Sequence, residues 1–177
     1  AELIKKAKRV ANPGCYPTGA ISLVRPLIEN SIIPSSYPLT INAVSGYSGG
    51  GKSLIKRFET EENEAPPIYF YGTNLSHKHL PEMQQYIGLD NPPFFIPSVG
   101  KYMHGMIVQV PVYLTESLNT ANRPQKIHDV LSQHYDSSNF VTVNPLDTAR
   151  TPVEISPEKL NHSNMLEINV FSNKEET

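Results

Sequence analysis

Two short stretches carry the side chains best suited to covalent chemistry. Cys15 is the only cysteine among 177 residues, and His77 and His79 are separated by a single residue. A thiolate can attack a carbonyl carbon, and an imidazole can move the protons that such a reaction needs. These residue types predict a thiolate–imidazole couple, provided that the fold brings them together.

The residues around Cys15 predict a junction between a strand and a helix. Residues 9–11 are typical of the end of a short strand, and Asn12-Pro13-Gly14 is typical of a turn. Pro17 suits the first position of a helix because it has no N–H to leave unpaired. Cys15 is therefore expected beside a helix N-terminus, where the helix dipole favours negative charge on the sulfur.

The two histidines precede a second predicted helix. Pro81 suits its start and Gly88 its end, so His79 is expected near the helix N-terminus. If the chain is extended here, both rings project to one side. The helix dipole disfavours an imidazolium at this position, while Glu82 one turn into the helix favours it.

A third stretch, residues 45–52, is rich in glycine. Four of its residues are glycine, and they follow a predicted strand over residues 39–44 and precede a predicted helix. Such a loop can bring backbone N–H groups close to a phosphate or a cofactor, and a solvated surface loop is the alternative. Its spacing is neither that of a P-loop nor that of a dinucleotide-binding fingerprint. Residues that could supply positive charge nearby are Arg57, Lys101 and His104.

The remaining patterns predict short elements separated by turns. A helix begins at Pro17 and is kinked or restarted at Pro26, and another helix begins at Pro124. Residues 94–99 and 103–114 are expected to form a hairpin whose second strand is buried on both faces. Further strands are predicted over residues 68–71, 140–143 and 165–171.

Composition excludes several classes of function. The formal net charge is −2, which implies no attraction to nucleic acid or to an anionic membrane, and no apolar run approaches the roughly 18 residues of a membrane span. A single cysteine excludes an internal disulfide framework and is compatible with a reducing compartment, so a cytoplasmic location is expected.

Other functions remain open on these residues alone. Cys15 could be a small buried hydrophobic residue, or a metal ligand together with the histidines. A Cys/His hydrolase would use the same thiolate, imidazole and anion loop. A catalytically silent oligomerisation module would need none of them.

Three motifs together resemble a known family. They are Ala11-Asn12-Pro13-Gly14-Cys15-Tyr16-Pro17-Thr18, then Val44-Ser45-Gly46-Tyr47-Ser48-Gly49-Gly50-Gly51-Lys52, then His77-Lys78-His79-Leu80-Pro81-Glu82. In this order they resemble the shorter form of N-acetyl-γ-glutamyl-phosphate reductase, in the aspartate-semialdehyde-dehydrogenase-like group. The resemblance implies reduction of N-acetylglutamyl 5-phosphate by NADPH to N-acetylglutamate 5-semialdehyde, in arginine biosynthesis, through a cysteine thioester.

The resemblance also implies roles for particular residues. Cys15 is the expected nucleophile and His79 the expected acid/base. The other implied positions are, for substrate, His77, Glu82, Ser45 and Lys52, and, for cofactor, Gly46, Ser48, Gly49 and Gly50. No metal is implied.

The fold implied by the resemblance is an α+β domain, like the C-terminal domain of glyceraldehyde-3-phosphate and semialdehyde dehydrogenases. It has a mixed, mostly antiparallel sheet with helices on one face, while the other face can pair with a second subunit in a homodimer or homotetramer. Residues 1–177 are expected to be one catalytic and dimerisation domain. The family's N-terminal NADP-binding domain and a C-terminal segment are absent from this sequence, so the fragment alone is expected to be inactive.

Overall fold

A computed structural model describes residues 2–60, 65–113, 123–146 and 153–173. Within these ranges, no helix combines the length and the apolar character needed to cross a bilayer. The predicted strand end at Leu114 and part of the acidic loop before Ile68 lie outside the described residues.

Helices and strands alternate irregularly along the chain. The helices are α1 (Glu2–Lys6), α2 (Cys15–Glu29), α3 (Gly51–Thr60), α4 (Leu80–Ile87) and α5 (Arg123–Tyr135), with a 3₁₀ helix at Tyr47–Gly50. The strands are β1 (Thr40–Gly46), β2 (Ile68–Phe70), β3 (Phe94–Gly100), β4 (Met106–Gln109), β5 (Val141–Val143) and β6 (Leu166–Ile168).

The main sheet has four strands in the order β2-β3-β1-β4. β1 pairs in parallel with β3 and antiparallel with β4, and β2 pairs antiparallel with β3. Strands β5 and β6 form a separate parallel pair. Helices and a mixed, mostly antiparallel sheet make this an α+β fold, which confirms the predicted class.

One face of the main sheet carries the hydrophobic core. Ile41 and Ala43 of β1 alternate with half-buried neighbours, and register places Phe95 of β3 opposite Ile41 on the same face. Helix α2 packs on this face so closely that a methyl group at Gly19 would lie 2.7 Å from a methyl carbon of Val108. The sheet therefore supports α2, and with it the cysteine at the start of that helix.

Helix α2 continues through Pro26, so the predicted restart does not occur. Proline has no N–H to donate to the carbonyl of Ser22, one turn earlier. The hydroxyl of Tyr135 in α5 donates to that carbonyl instead, at 2.8 Å. A contact with a distant helix thus compensates for a bond that the local sequence cannot make.

The predicted hairpin of residues 94–99 and 103–114 is wrong. β1 lies between β3 and β4, so these two strands do not pair with each other. Residues 101–105 cross the end of β1, where the N–H of Gly46 donates to the carbonyl of Gly105 at 2.9 Å. A methyl group at Gly46 would lie 2.5 Å from the carbonyl oxygen of Met103, so glycine is required for this crossing.

Two other strand predictions also fail. β4 is not buried on both faces, because it is an edge strand of its sheet with half-buried residues and an exposed Gln109. Residues 9–11 are exposed and form neither helix nor strand. An apolar run predicts that its side chains are removed from water, but it does not show whether the same chain or a second chain covers them.

The second face of the main sheet is more open and exposes three large apolar side chains. Ile68, Phe70 and Phe94 are 54%, 65% and 49% exposed. The pairing register places all three on the face opposite Phe95 and Tyr69, which pack against the helices. Monomeric domains rarely expose a continuous apolar surface on a sheet.

Candidate active site

The cysteine lies at the beginning of helix α2. Gly14 is the N-terminal cap, with φ −60° and ψ 149°, and Cys15 is the first helical residue, two positions before Pro17, where the sequence pattern places the helix start. The carbonyl of Gly14 accepts hydrogen bonds from the N–H of Thr18 at 3.0 Å and from its hydroxyl at 2.9 Å. The Cys15 side chain is exposed, so the sulfur is open to a substrate and is not a core residue.

Gly14 brings the cysteine loop against the first turn of helix α4. Its N–H donates to both carboxylate oxygens of Glu82, at 3.0 and 3.3 Å. A methyl group at Gly14 would lie 2.8 Å from Nε2 of His79 and 2.9 Å from Oε2 of Glu82. Only glycine lets the backbone next to Cys15 approach an imidazole and a carboxylate so closely.

The two histidines converge through a turn and not through an extended chain. The N–H of His79 donates to Nδ1 of His77 at 3.2 Å, and that of Leu80 donates to the carbonyl of His77 at 3.0 Å. The two ring centroids are 4.9 Å apart. The predicted convergence of the rings is therefore observed, although a different backbone conformation produces it.

Both histidines are held in the neutral form near neutral pH. Burial lowers the pKa of His77, and the neighbouring His79 and Lys78 lower it further. Burial also lowers the pKa of His79, and Lys78 adds to this, while Glu82 opposes it. A neutral imidazole can accept a proton, as general-base chemistry requires. Nδ1 of His79 finds no hydrogen-bond partner among the described residues, so Nε2, next to Gly14, is the nitrogen that faces the cysteine loop.

Sequence reasoning missed Tyr16, which connects the parts of the site. Its side chain is only 3% exposed, and its ring makes edge contacts with His77, His79 and Phe95, at centroid distances of 6.0, 6.2 and 5.1 Å. Its hydroxyl lies 3.1 Å from Oγ of Ser45 and accepts a hydrogen bond from Tyr71 at 3.1 Å. An aromatic residue with a polar end directly after the cysteine was the available signal.

The glycine-rich loop meets the site through Ser45. Gly46 is buried beneath the crossing segment, whereas Gly49 and Gly50 are exposed. A methyl group at Gly49 would make an ordinary contact of 3.4 Å with Oγ of Ser45. Oγ of Ser48 lies 3.0 Å from Nδ1 of His104, which fixes the loop to the crossing segment.

The structure thus brings most of the predicted site residues together, but Lys52 lies apart from them. Lys52 is exposed in the first turn of α3, and in the part of the chain that the structure describes no hydrogen bond or ion pair connects it to Cys15 or the histidines. Across those described residues, no three His, Cys, Asp or Glu side chains form a group that could hold a metal ion.

Fold and site together define an α+β domain that presents an exposed thiol at a helix N-terminus beside two neutral imidazoles. The family described as "Semialdehyde dehydrogenase, dimerisation domain" matches residues 15–177. The chain belongs to this family.

Curated relatives with known names match nearly the whole chain. An N-acetyl-gamma-glutamyl-phosphate reductase of Rhizobium meliloti (strain 1021) is 47% identical over 174 residues, which are 97% of this chain and 56% of that protein. Proteins of the same name from Burkholderia cenocepacia J2315 and Brucella ovis are 43% and 44% identical, over 98% of this chain and 56% and 57% of their own length. The resemblance seen in the three motifs is confirmed, and the chain spans just over half the length of these relatives.

Proposed function

We propose that this chain is the catalytic and dimerisation part of an N-acetyl-γ-glutamyl-phosphate reductase that acts in the cytoplasm. The observation that carries the proposal is the contact of Gly14 with both His79 and Glu82, next to an exposed Cys15. That contact joins the two motifs that thioester chemistry needs. The names of the relatives support the substrate, which is N-acetylglutamyl 5-phosphate.

In the first step, the Cys15 sulfur attacks the acyl carbon of the acyl phosphate. A C–S bond forms, the C–O bond to phosphate breaks, and phosphate leaves with the electron pair. His79 accepts the thiol proton, because burial lowers its pKa and keeps its ring neutral. The product of this step is a thioester on Cys15.

In the second step, the same ring returns a proton. NADPH, when bound, supplies the hydride that reduces the thioester. The imidazolium of His79 would protonate the hemithioacetal oxygen. As the C–S bond breaks, this hydroxyl would return its proton to His79, the C=O bond of the aldehyde would form, and the sulfur would leave as the Cys15 thiolate. Glu82 favours the protonated ring at this stage, since its carboxylate raises the pKa of His79 against the effect of burial.

The described residues fit one edge of the cofactor. Gly49 and Gly50 are exposed and have no side chains that would block a flat ring of the cofactor. Ser48 precedes them, and Gly46 is buried at the start of the loop. The sequence contains no dinucleotide-binding fingerprint. Most of the NADPH site is therefore proposed to lie outside these 177 residues, in a part that the relatives have and this sequence does not cover.

The substrate is proposed to lie between the histidines and the glycine-rich loop. His77 and Ser45 both contact Tyr16, the residue that follows Cys15 in the chain. Glu82 holds the cysteine loop through Gly14. Lys52 stands exposed at the start of α3, where a cation can meet the anionic end of the substrate.

Trapping the acyl-enzyme tests this function without the cofactor. The chain mixed with N-acetylglutamyl 5-phosphate, but without NADPH, should release about one phosphate per chain and carry the acyl group on the Cys15 peptide. Mass spectrometry of the digested protein locates the group, and Cys15→Ser should give neither product. Continuous phosphate release without acylated protein would show a hydrolase instead.

The open face of the main sheet is proposed to pair two copies of the chain, in a homodimer or in a homotetramer built from such dimers. The family description supports association, and the exposed Ile68, Phe70 and Phe94 provide the apolar surface. Apolar area removed from water drives such pairing at roughly 25 cal/mol per Å².

A charge placed on this face should prevent association. Phe70→Glu is expected to shift the chain from dimer to monomer in sedimentation experiments, because an unpaired carboxylate would have to be buried. Tyr86→Glu is the matched control, since Tyr86 is 52% exposed on helix α4, outside the sheet face. A parent chain that sediments as a monomer, or dimers that persist in Phe70→Glu, would rule out this interface.

A further inference from the structure

The backbone is held on both sides of Cys15 by contacts with distant parts of the chain. On one side, the N–H of Gly14 is fixed by both oxygens of Glu82. On the other side, Tyr16 is buried and its hydroxyl belongs to a network with Ser45 and Tyr71. The thiol itself is exposed between these two fixed residues.

The hydroxyl of Tyr16 is the centre of that network. It lies 3.1 Å from Oγ of Ser45, accepts from the hydroxyl of Tyr71 at 3.1 Å and donates to the carbonyl of Ser98 at 3.3 Å. These partners come from β1, from the residue after β2, and from β3. A buried phenol with several partners is far more restricted than one held by packing alone.

The same side chain also contacts both histidines. The Tyr16 ring makes edge contacts with His77 and His79. One residue therefore joins the cysteine motif to the histidine motif by its ring and to the glycine-rich loop by its hydroxyl. A core residue that only fills space could keep the ring contacts, but it could not make the hydrogen bonds of the hydroxyl.

We propose that Tyr16 is a positioning residue, whose hydroxyl network fixes the Cys15 thiol relative to His79 and the glycine-rich loop. The inference rests on the proposed function in naming Cys15 as the nucleophile. The position of the thiol matters because a nucleophile displaced by about 1 Å reacts on the order of a hundredfold more slowly.

Alkylation of Cys15 by iodoacetamide tests the proposal without substrate or cofactor. Cys15 is the only thiol in the chain, so the rate reports on this residue alone. Tyr16→Phe keeps the ring and its contacts but removes the hydroxyl. We expect this variant to react roughly tenfold more slowly than the parent chain, with a changed pH profile of the rate.

Ser45→Ala and the double variant that combines it with Tyr16→Phe test whether loss of the hydroxyl network causes the slower alkylation. Ser45→Ala should slow the reaction in the parent chain but change little in Tyr16→Phe, where the bond is already lost. Tyr71→Phe gives a second single variant with the same expectation, should Tyr16→Phe fail to fold. Additive effects of Tyr16→Phe and Ser45→Ala would overturn the proposal.

Tyr135→Phe is the matched control. It also removes a half-buried phenol hydroxyl bound to helix α2, but at the carbonyl of Ser22, far along the helix from Cys15. It should lower stability and leave the alkylation rate and its pH profile unchanged. Equal slowing in Tyr135→Phe and Tyr16→Phe, or a rate for Tyr16→Phe within about twofold of the parent, would overturn the positioning role. Failure of the proposed function would be recognised separately, since it would appear as no acylation of Cys15 in the parent chain.

Discussion

On the proposed function, replacing Cys15 with serine is expected to abolish aldehyde formation in a full-length reductase that contains these residues. A serine hydroxyl is a much weaker nucleophile than a thiolate, and it would give an ester in place of a thioester. Loss of a covalent nucleophile costs turnover at least about a thousandfold. NADPH oxidation in the presence of the acyl phosphate measures the effect.

This loss should occur without unfolding. The Cys15 side chain is exposed, and serine has nearly the same shape, so the free energy of unfolding should change by no more than about 0.5 kcal/mol. A thermal unfolding curve that superimposes on that of the parent protein is the control. Retained turnover in Cys15→Ser would mean that the nucleophile lies elsewhere.

Replacing His79 with glutamine is expected to lower turnover by roughly 10² to 10⁴-fold, the usual contribution of a positioned acid/base. Glutamine keeps a polar group near Gly14 but cannot accept and return the proton. The substrate concentration at half-maximal rate should change much less than the rate constant, because the ring acts on the reacting atoms. Steady-state kinetics on the full-length reductase separates the two.

The pH dependence provides a second readout for His79. Burial lowers the pKa of His79 from 6.5. The activity of the parent protein should therefore stay constant down to a pH below 6.5 and then fall, because protonation of the ring removes the base. In His79→Gln this acid limb should disappear. An acid limb that remains unchanged would assign it to another group, such as His77.

Stability must be followed in the same pH range. The pKa values of His77 and His79 are lower in the folded than in the unfolded chain, so the unfolded chain binds more protons. Their contribution to stability is therefore complete above about pH 6.5 and is lost as the pH falls toward the folded values. Circular dichroism at each pH distinguishes this loss from a loss of catalysis.

Local patterns predicted the ends of the helices that border the candidate site to within two residues. Gly14 and Pro17 placed Cys15 beside a helix N-terminus, although the helix begins at Cys15, two residues before Pro17. Gly88 adopts the left-handed conformation, with φ 89°, that ends helix α4 after the histidine motif. These features depend on backbone conformations that neighbouring residues largely determine, so a sequence pattern is sufficient to identify them.

Long-range pairing was not predicted from such patterns. The two apolar runs over residues 94–99 and 103–114 predict a hairpin because only a short link separates them. The insertion of β1 between these runs depends on its parallel pairing with β3, which a distant part of the chain supplies. Which strands become neighbours depends on the packing of the whole sheet. The hydrophobic periodicity of a segment does not reveal its neighbours.

The sequence by itself determined the reactive groups, the local conformation around Cys15 and, through its three motifs, the family of the chain. Only the tertiary structure decided that Gly14 meets Glu82, 68 residues away, and that Tyr16 holds the motifs together. The physical reason is the range of the interactions. Turns and caps form between neighbours in the chain, whereas a site made from three motifs requires the core to bring its parts into contact.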